Sequence, residues 1–260
     1  MARQKKKIFY RSPKGPKPLD KQKPKDASTL PEGQERLEKA IAHMGLASRR
    51  EAKMLIKEGK VLVNNKVVRE TGFGIVLGKD KINLKEDASG TKEAVLYFKP
   101  RGIETSKTSG TNTDIHEKLP TLKHLSPIGR LDKESDGLII LSNDGTLTKA
   151  LTKENSSIEK EYLVLVRENI TPEAISKLSS GIFLDKVKTK PAKVKKVSKS
   201  SFTIILKEGR KHQIRRMCDA CRLTILSLTR IRIGHLKIGS MKPGFVKRIQ
   251  EKDINILKNS

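Results

Sequence analysis

The chain has 260 residues and carries 56 lysines and arginines against 29 aspartates and glutamates, a formal net charge of +27. This excess is far larger than solubility requires, and it indicates a polyanionic partner, with nucleic acid favoured over an anionic membrane. A spanning helix needs roughly 20 apolar residues, and no stretch of the sequence approaches that length, so a membrane-spanning helix is not expected.

The first segment, residues 1–33, combines scattered lysines and arginines with prolines and has few large apolar side chains. Such a segment cannot bury enough surface to become ordered, so we expect a disordered basic arm. Its start has charge but no apolar core and no small-residue cleavage site, which is not the pattern of a secretory signal. Together with the rarity of cysteine, this favours a cytoplasmic protein.

Two short helices and a hairpin are predicted over residues 34–84. Apolar side chains at helical spacing end at Gly45, and Ser48 with Glu51 forms a capping box for a second helix that ends at Gly59. The alternating segment KVLVNNKVV then predicts a hairpin that turns at its two asparagines. The segment DKINL supplies a further short strand.

The second helix is expected to have a cationic ridge. Arg49, Lys53 and Lys57 recur every four residues and so lie on one side of it, with Arg50 next to the first of them. This ridge could be simply solvated, or it could contact phosphates. The segment RLEKAIAHMGLASRREAKMLIKEGKVLVNNKVV resembles the small RNA-binding module named after a small-subunit ribosomal protein, the αL motif. The resemblance implies that the ridge binds RNA.

The remainder of the chain is predicted to be a linker, residues 85–93, and a mixed α/β domain, residues 94–260. The predicted strands of this domain are AVLYF, GLIILS, EYLVLVR, KVKTKPAKVKKVS, SFTIIL and LTRIRIG. The predicted helices cover residues 143–151, 171–180, 210–221 and 250–258.

Three segments of this domain place polar side chains next to apolar strands. In GRLDKESDGLIIL, Arg130 and Asp132 alternate, so in an extended chain both side chains share one face. Lys160 and Tyr162 share a strand face in EKEYLVLV by the same period. In EGRKHQIRRM, a strand turns into a helix whose start is crowded with basic residues: Arg210, Lys211, His212, Arg215 and Arg216. The helix macrodipole disfavours cations there, so a nearby RNA phosphate or protein carboxylate is expected.

Each segment also has a purely structural interpretation. Asp132 could be a turn acid, Tyr162 a half-buried strand aromatic, and His212 a capping or phosphate-contacting residue. The three other acids of this region are expected to be turn and cap residues: Glu134, Asp136 and Asp144.

The two cysteines of the chain, Cys218 and Cys221, have CxxC spacing. A structural zinc site needs four ligands, and neither a second CxxC nor a closely spaced histidine pair supplies the others, so no metal site is expected. Two small side chains on a helix is the favoured interpretation, and a redox pair is the alternative.

Taken in order, the three polar segments match the motifs of the pseudouridine synthases, in the branch named after RsuA and RluF, whose members also have the αL module. GRLDKESDGLIILSNDG resembles the central motif, EKEYLV the tyrosine motif, and EGRKHQIRRM with LTRIRIG and MKPG the C-terminal signature. The resemblance spans residues 35–250. It implies an α+β fold, in which the αL module precedes a mixed, mainly antiparallel sheet flanked by helices.

The resemblance also implies residue roles. Asp132 matches the catalytic aspartate, Tyr162 the tyrosine that packs on the target base, and Arg215 the arginine that pairs with the aspartate. Arg130 matches the residue that occupies the space left by the flipped base. The other residues of the domain expected to bind RNA are Lys160, Arg210, His212 and Arg216. The sequence departs from the family at Arg222, where a glycine usually ends the helix, so the geometry of this cap is open.

The implied reaction breaks the N1–C1′ bond of uridine and joins C5 to C1′ without redox change, so no cofactor is expected. It needs an ionised carboxylate that either attacks C1′ or removes a sugar proton. The leading hypothesis is a monomeric synthase acting on ribosomal RNA, with KPRGIETS and KESDGLIILSNDG favouring the large subunit, and with tRNA as another possible substrate. The alternatives are a non-catalytic RNA-binding ribosome-assembly factor and a metal-dependent nuclease, which would need clustered carboxylates where this sequence has cations.

Overall fold

The structure is a computed structural model, and it describes residues 30–85, 91–106, 113–153 and 157–260. The predicted basic arm lies outside the described residues apart from 30–33, and the predicted linker lies outside them apart from 85 and 91–93.

The N-terminal part of the chain forms a small α/β module. Its elements are β1 (Glu35–Arg36), α1 (Leu37–His43), α2 (Arg49–Glu58), β2 (Val61–Val63), β3 (Lys66–Val68), β4 (Gly74–Ile75) and β5 (Ile82–Leu84). The predicted capping box is confirmed, because the Ser48 hydroxyl accepts from the Glu51 amide at 3.2 Å and the Glu51 carboxylate accepts from the Ser48 amide at 3.3 Å. Asn64 and Asn65 have φ values of 50° and 64°, as the predicted hairpin turn requires.

A separate apolar core holds this module together. Its fully buried side chains come from both helices and from two of the strands, and they include Leu37, Ile41, Ile56, Val61 and Ile75. Because this core is continuous, the exposed face of α2 is held in a fixed orientation relative to the hairpin.

The rest of the chain builds one large sheet with helices packed on it. Its elements are β6 (Ala94–Lys99), α3 (Ile115–Lys118), β7 (Ser126–Ile128), β8 (Asp136–Ser142), α4 (Gly145–Thr152), β9 (Lys160–Val166), α5 (Pro172–Ser180), β10 (Phe183–Leu184), β11 (Val187–Lys188), β12 (Lys193–Lys196), β13 (Ser201–Leu206), α6 (Gln213–Ala220), β14 (Ile225–Ile233), β15 (Leu236–Lys237), β16 (Val246–Arg248) and α7 (Glu251–Lys258).

Among the described residues the sheet has the strand order β12-β13-β9-β14-β8-β6-β16, with β15 beside β14 and β7 beside β8. Its strand pairs are antiparallel except β14 and β8, which run parallel and bring Arg230 next to Gly137. Gly137 has a φ of 104°, and a Cβ there would collide with the Arg230 carbonyl, so glycine permits this close approach. The expected α+β fold with a mixed, mainly antiparallel sheet is confirmed.

Strand β8 explains the apolar run that follows Asp136. Leu138 and Ile140 pack in a cluster with α4 and α7, whereas Ile139 and Leu141 pack in a second cluster on the opposite side. All four side chains are at most 1% exposed. The strand is thus buried on both faces, which removes the alternation of a half-exposed strand.

Two local expectations about strands and turns are wrong. The basic segment KVKTKPAKVKKVS is not one strand, because Val187–Lys188 pairs with Phe183–Leu184 while Lys193–Lys196 pairs with β13. The break contains Pro191, which has no amide hydrogen to give to a ladder. Asp136 is the first residue of β8 rather than a turn or cap residue.

The two parts of the chain touch through α1 and α4. The Lys149 ammonium donates to the His43 carbonyl at 3.0 Å, and Gly45 lies directly against Thr146. Asp144 caps α4 as expected, and it also pairs with the Lys258 ammonium at 2.6 Å, which ties α7 to α4. No helix in the described ranges is long and apolar enough to cross a membrane.

Candidate active site

A cleft of about 880 Å³ opens where β8, β9, β14 and the start of α6 come together. It is lined by seven residues that the sequence assigns to catalysis or RNA binding: Arg130, Asp132, Lys160, Tyr162, Arg210, His212 and Arg215. Segments far apart in the chain therefore converge on one site. Arg216, the remaining candidate of this domain, is not among the lining residues.

Asp132 lies in a turn before β8, not in an extended strand. The Thr105 hydroxyl donates to the Leu131 carbonyl at 2.7 Å and accepts from the Leu131 amide at 3.0 Å. On the other side, the Gly102 amide donates to the Lys133 carbonyl at 2.8 Å. The backbone is held on both sides of Asp132, so its carboxylate has a defined position although it is not on a strand.

Two basic side chains flank the Asp132 carboxylate. Oδ1 lies 3.5 Å from Nε2 of His212, and Oδ2 lies 3.5 Å from Nε of Arg215. Arg215 is itself oriented by Nη2, which donates to the Glu134 carbonyl at 2.9 Å and to the Ser135 hydroxyl at 3.0 Å. The Asp132 side chain remains 35% exposed and lines the cleft, with one basic side chain beside each of its two oxygens.

The start of α6 has a strained backbone at His212, with φ 52° and ψ 30°. This left-handed conformation is uncommon outside glycine, although histidine is among the residues that adopt it more often. The His212 side chain makes no capping hydrogen bond, so the capping interpretation is wrong. Protein carboxylates do lie beside the crowded cations: Asp132 is next to Arg215, and Asp185 is 2.7 Å from Arg216.

Tyr162 lines the cleft next to a buried arginine, Arg230. The Arg230 side chain is fixed by Nε, which donates to the Leu138 carbonyl at 2.6 Å, and its guanidinium carbon lies 6.0 Å from the centre of the Tyr162 ring. Lys160 lines the same cleft, which confirms that it shares a strand face with Tyr162. Burial, with the charge of Arg230 as a smaller cause, holds the pKa of Lys160 below its ordinary value.

Sequence reasoning missed two buried cations near Asp132. Arg230 is 3% exposed, and its Nη2 is a buried atom without a hydrogen-bond partner in the described part of the chain. Lys99 is fully buried and donates to the carbonyls of Pro100 and Ile103 at 2.9 and 2.8 Å. Burial lowers the pKa of Lys99 to about 8, although the charges of Asp136 and Asp132 oppose that shift. The sequence did contain a signal, because Lys99 and Arg230 each lie in a largely apolar strand. A lysine or arginine in a strand usually points to solvent, so burial of these two was not expected.

The cysteines are part of the packing around α6. Cys218 is fully buried in the core, and burial raises the pKa of its thiol to about 12. Burial also raises the pKa of Cys221. Both shifts disfavour the thiolate that redox or metal chemistry would use. Across the described ranges, no group of three or more histidine, cysteine, aspartate or glutamate side chains could hold a metal ion.

The predicted cationic ridge lies away from this cleft. Arg49, Arg50, Lys53 and Lys57 are all exposed on α2, and none of them is a lining residue. The structure therefore gives two separate basic surfaces, one on the N-terminal module and one around Asp132.

Comparison with known proteins decides the family. Residues 93–220 match the model of the RNA pseudouridylate synthases, and residues 35–80 match the S4 domain. The chain is 37% identical over 236 residues to ribosomal large subunit pseudouridine synthase B of Bacillus subtilis (strain 168), an alignment that covers 86% of this chain and 96% of that protein. The chain belongs to the RNA pseudouridylate synthase family.

Further relatives agree with this assignment. The synthase is 36% identical to the dual-specificity RNA pseudouridine synthase RluF of Escherichia coli (strain K12), over 83% of this chain and 75% of RluF. A crystal structure of a pseudouridylate synthase superposes with a TM-score of 0.65 at 26% identity, covering 85% of this chain and 99% of that one. The protein is thus an isomerase that acts on RNA, with an RNA-binding S4 module before its catalytic domain.

Proposed function

We propose that this synthase converts a uridine of large-subunit ribosomal RNA to pseudouridine, and that Asp132 carries out the chemistry. The observation that carries the proposal is the Asp132 carboxylate, which lies 3.5 Å from both His212 and Arg215 in a cleft lined by Tyr162. The large subunit is favoured by the name of the relative from Bacillus subtilis, which resembles this chain over nearly its whole length.

In the proposed reaction the target uridine first leaves its stack and enters the cleft. This costs a few kcal/mol, and stacking on the Tyr162 ring returns roughly 1–3 kcal/mol of it. Arg130 occupies the space that the base leaves. Asp132, as an ionised carboxylate, then attacks C1′ or removes a sugar proton, and the N1–C1′ bond breaks with its electron pair on N1. The freed uracil turns, and C5 bonds to C1′ as the Asp132 ester breaks or as the sugar proton is returned. C5 then loses its hydrogen as a proton and N1 takes one up, which leaves an isomer of uridine and regenerates the Asp132 carboxylate. Arg215 and His212 lie beside the two carboxylate oxygens and hold Asp132 in position during these steps.

The two parts of the chain would have different functions, one in RNA binding and one in catalysis. Residues 34–84 would bind RNA through Arg49, Arg50, Lys53 and Lys57, and residues 94–260 would hold and isomerise the uridine. In the proposed scheme, Lys160, Arg210, His212 and Arg216 contact RNA around the cleft, residues 1–33 add non-specific attraction, and residues 85–93 serve as the linker. We expect the synthase to work as a monomer in the cytoplasm. A tRNA uridine is a second possible substrate.

The proposed substrate can be tested by mapping pseudouridines in cells with and without the protein. Carbodiimide-blocked reverse transcription of ribosomal RNA and tRNA should show at least one stop in large-subunit RNA that disappears in the deletion strain. Expression of the wild-type chain should restore that stop, and expression of Asp132→Asn should not. A missing stop confined to tRNA or small-subunit RNA would contradict the large-subunit assignment, and an unchanged map in every RNA would contradict the proposed substrate classes.

A further inference from the structure

The hairpin formed by β10 and β11 exposes an aromatic side chain. Phe183 is 68% exposed, the largest exposure among the large apolar side chains of the described residues. The hairpin turns at Asp185 and Lys186, which have φ values of 52° and 65°, and it pairs Phe183 directly with Lys188. A phenylalanine ring and an ammonium group are therefore neighbours on one face of a two-stranded ribbon that lies outside the main sheet.

Two arginines of the EGRKHQIRRM segment fasten this hairpin to the wall of the cleft. Arg210 donates from Nη1 to the Val187 carbonyl at 3.0 Å and from Nη2 to the Lys188 carbonyl at 2.8 Å. Arg216 pairs with Asp185 at 2.7 Å. Arg210 also lines the cleft that contains Asp132. The exposed ring is thus held beside the candidate active site by charge-assisted hydrogen bonds, not left on a free loop.

The exposed charges of the hairpin segment itself are mostly positive, although the Glu208 carboxylate accepts from the Lys190 amide at 3.0 Å and lies 3.6 Å from Arg210. Within residues 183–190 the exposed lysines are Lys186, Lys188 and Lys190. The single acid of that segment, Asp185, is already paired with Arg216. An aromatic face flanked by ammonium groups has the chemistry that binds unpaired nucleotides, because the ring stacks on a base while the cations meet phosphates.

We propose that Phe183 and Lys188 form an accessory site for an unpaired base of the substrate RNA, distinct from the target uridine. The ring of Phe183 stacks on that base, and Lys188 contacts its phosphate. The site rests on the proposed function, since it needs RNA to occupy the neighbouring cleft. It also gives Arg210 and Arg216 a second role besides the RNA contacts of the proposed function, because both arginines hold the hairpin in place.

A pair of probes isolates the contribution of the base. One is a single-stranded oligouridylate, and the other is an oligomer of the same length that has the sugar and phosphate groups but no bases. The measured quantity is the affinity for the oligouridylate divided by the affinity for the base-free oligomer. Both probes have the same phosphates, so the general attraction to phosphate cancels in this ratio. Phe183→Ala should lower this ratio by about fivefold or more, the equivalent of about 1 kcal/mol of stacking free energy, whereas Phe183→Trp should preserve it.

A matched control is Phe245→Ala, because Phe245 is also an exposed phenylalanine, at 54%. It directly precedes β16, the edge strand of the main sheet at the end opposite β12. This variant should leave the ratio unchanged. Lys188→Ala should weaken both probes equally and flatten the dependence of log K on log salt by about 0.7, as expected for one phosphate contact with a single strand.

The result that would overturn the inference is an unchanged ratio for Phe183→Ala, or an equal loss for Phe245→Ala. Binding to vesicles of anionic phosphatidylglycerol that depends on Phe183 without any effect on the RNA ratio would assign the hairpin to a membrane surface instead. Failure of the proposed function would look different, because the wild-type chain would then neither prefer the oligouridylate nor release tritium from RNA labelled at uracil C5.

Discussion

At the scale of single residues, the cleft combines an aromatic ring at its surface with a buried cation behind it. Tyr162 lines the cleft, and Arg230 lies 6.0 Å from its ring centre while donating to the Leu138 carbonyl. Tyr162 itself lies on β9, which pairs with β13 on one side and β14 on the other, so the backbone that carries the ring is held in place. A base that stacks on Tyr162 would meet a surface that does not have to be ordered on binding.

Replacement of Tyr162 separates the ring from its hydroxyl. Tyr162→Phe keeps the stacking face and should retain wild-type affinity for ribosomal RNA. Tyr162→Ala should weaken binding to RNA that contains the target uridine by about 1–3 kcal/mol and should also abolish turnover. Filter binding with the unmodified large-subunit transcript measures both variants. Equal affinities of Tyr162→Phe and Tyr162→Ala would count against stacking.

Burial of Lys99 should make stability depend on pH. Its pKa is about 8 in the folded chain against an ordinary value of 10.5, so the unfolded chain binds this proton more tightly. The charged form therefore destabilises the fold below about pH 8, and that cost disappears as the pH rises towards about 10.5. Relative to Lys99→Met, the free energy of unfolding of the wild-type chain should rise by about 1 kcal/mol per pH unit in that window.

Urea unfolding of both proteins at several pH values on either side of pH 8 measures this difference, in which the titration of all other groups largely cancels. Lys99→Gln, which keeps a hydrogen-bond donor, is the second variant if Lys99→Met does not fold. Parallel pH profiles for the wild-type chain and the variants would mean that Lys99 keeps an ordinary pKa.

At the scale of elements, α6 begins and ends in left-handed conformations. His212 precedes it with a φ of 52°, and Arg222 follows it with a φ of 57°. Arg222 occupies the position where the family usually has a glycine, and its amide donates to the Asp219 carbonyl at 2.9 Å. Arg222 thus adopts the left-handed backbone conformation that a glycine usually supplies at the end of a helix. The cap geometry that the sequence left open is therefore that of a glycine cap, with arginine in the glycine position.

Arg222→Gly should therefore stabilise the protein. The left-handed region costs a residue with a Cβ roughly 1–2 kcal/mol, and the greater freedom of glycine in the unfolded chain offsets part of this, so a gain of about 0.5–1 kcal/mol is expected. Arg222→Ala is the matched control, because it removes the charge but keeps the strain. An equal gain in the two variants, measured by urea unfolding, would assign the effect to charge.

The ridge on α2 is testable through salt dependence. If Arg49, Lys53 and Lys57 contact phosphates, replacing all three with alanine should flatten the slope of log K against log salt by about 0.7–0.9 for each phosphate that is no longer neutralised. Arg49→Lys is the control, because it keeps the positive charge and should therefore leave the slope of log K against log salt unchanged. Binding to large-subunit RNA over a range of salt concentrations gives these slopes, and a wild-type slope in the triple variant would mean that the ridge is only solvated.

At the scale of the whole molecule, local sequence patterns predicted the helices and strands. The pairing of the strands and the burial of Arg230 depend on contacts between distant segments. The capping box of α2 and the asparagine turn are encoded within a few residues, so their prediction from the sequence is confirmed. The parallel pairing of β8 with β14, which brings Arg230 next to Gly137, has no local signal. The same pairing explains why sequence reasoning missed Arg230, since burial of a cation depends on carbonyls supplied by a distant strand.

The convergence of the candidate site was predicted from motifs, but its geometry was not. The sequence placed Arg130 and Asp132 on one face of a strand, whereas the structure has Asp132 in a turn that Thr105 holds in place. Both residues still line the cleft, because the turn points into it. The roles of Asp132, Tyr162 and Arg215 stay predictions that only measurements of activity can test.

The central claim is that Asp132 carries out the isomerisation, and tritium release from RNA labelled at uracil C5 tests it most directly. Asp132→Asn keeps the size of the side chain but removes its charge, so the fold and RNA binding should survive while the nucleophile or base is removed. At equal, verified folded concentration, the wild-type chain should release tritium from ribosomal RNA or from ribosome-assembly intermediates, and the variant should release none above background. A wild-type rate in Asp132→Asn, or no release by either protein from any of these RNAs, would contradict catalysis at Asp132.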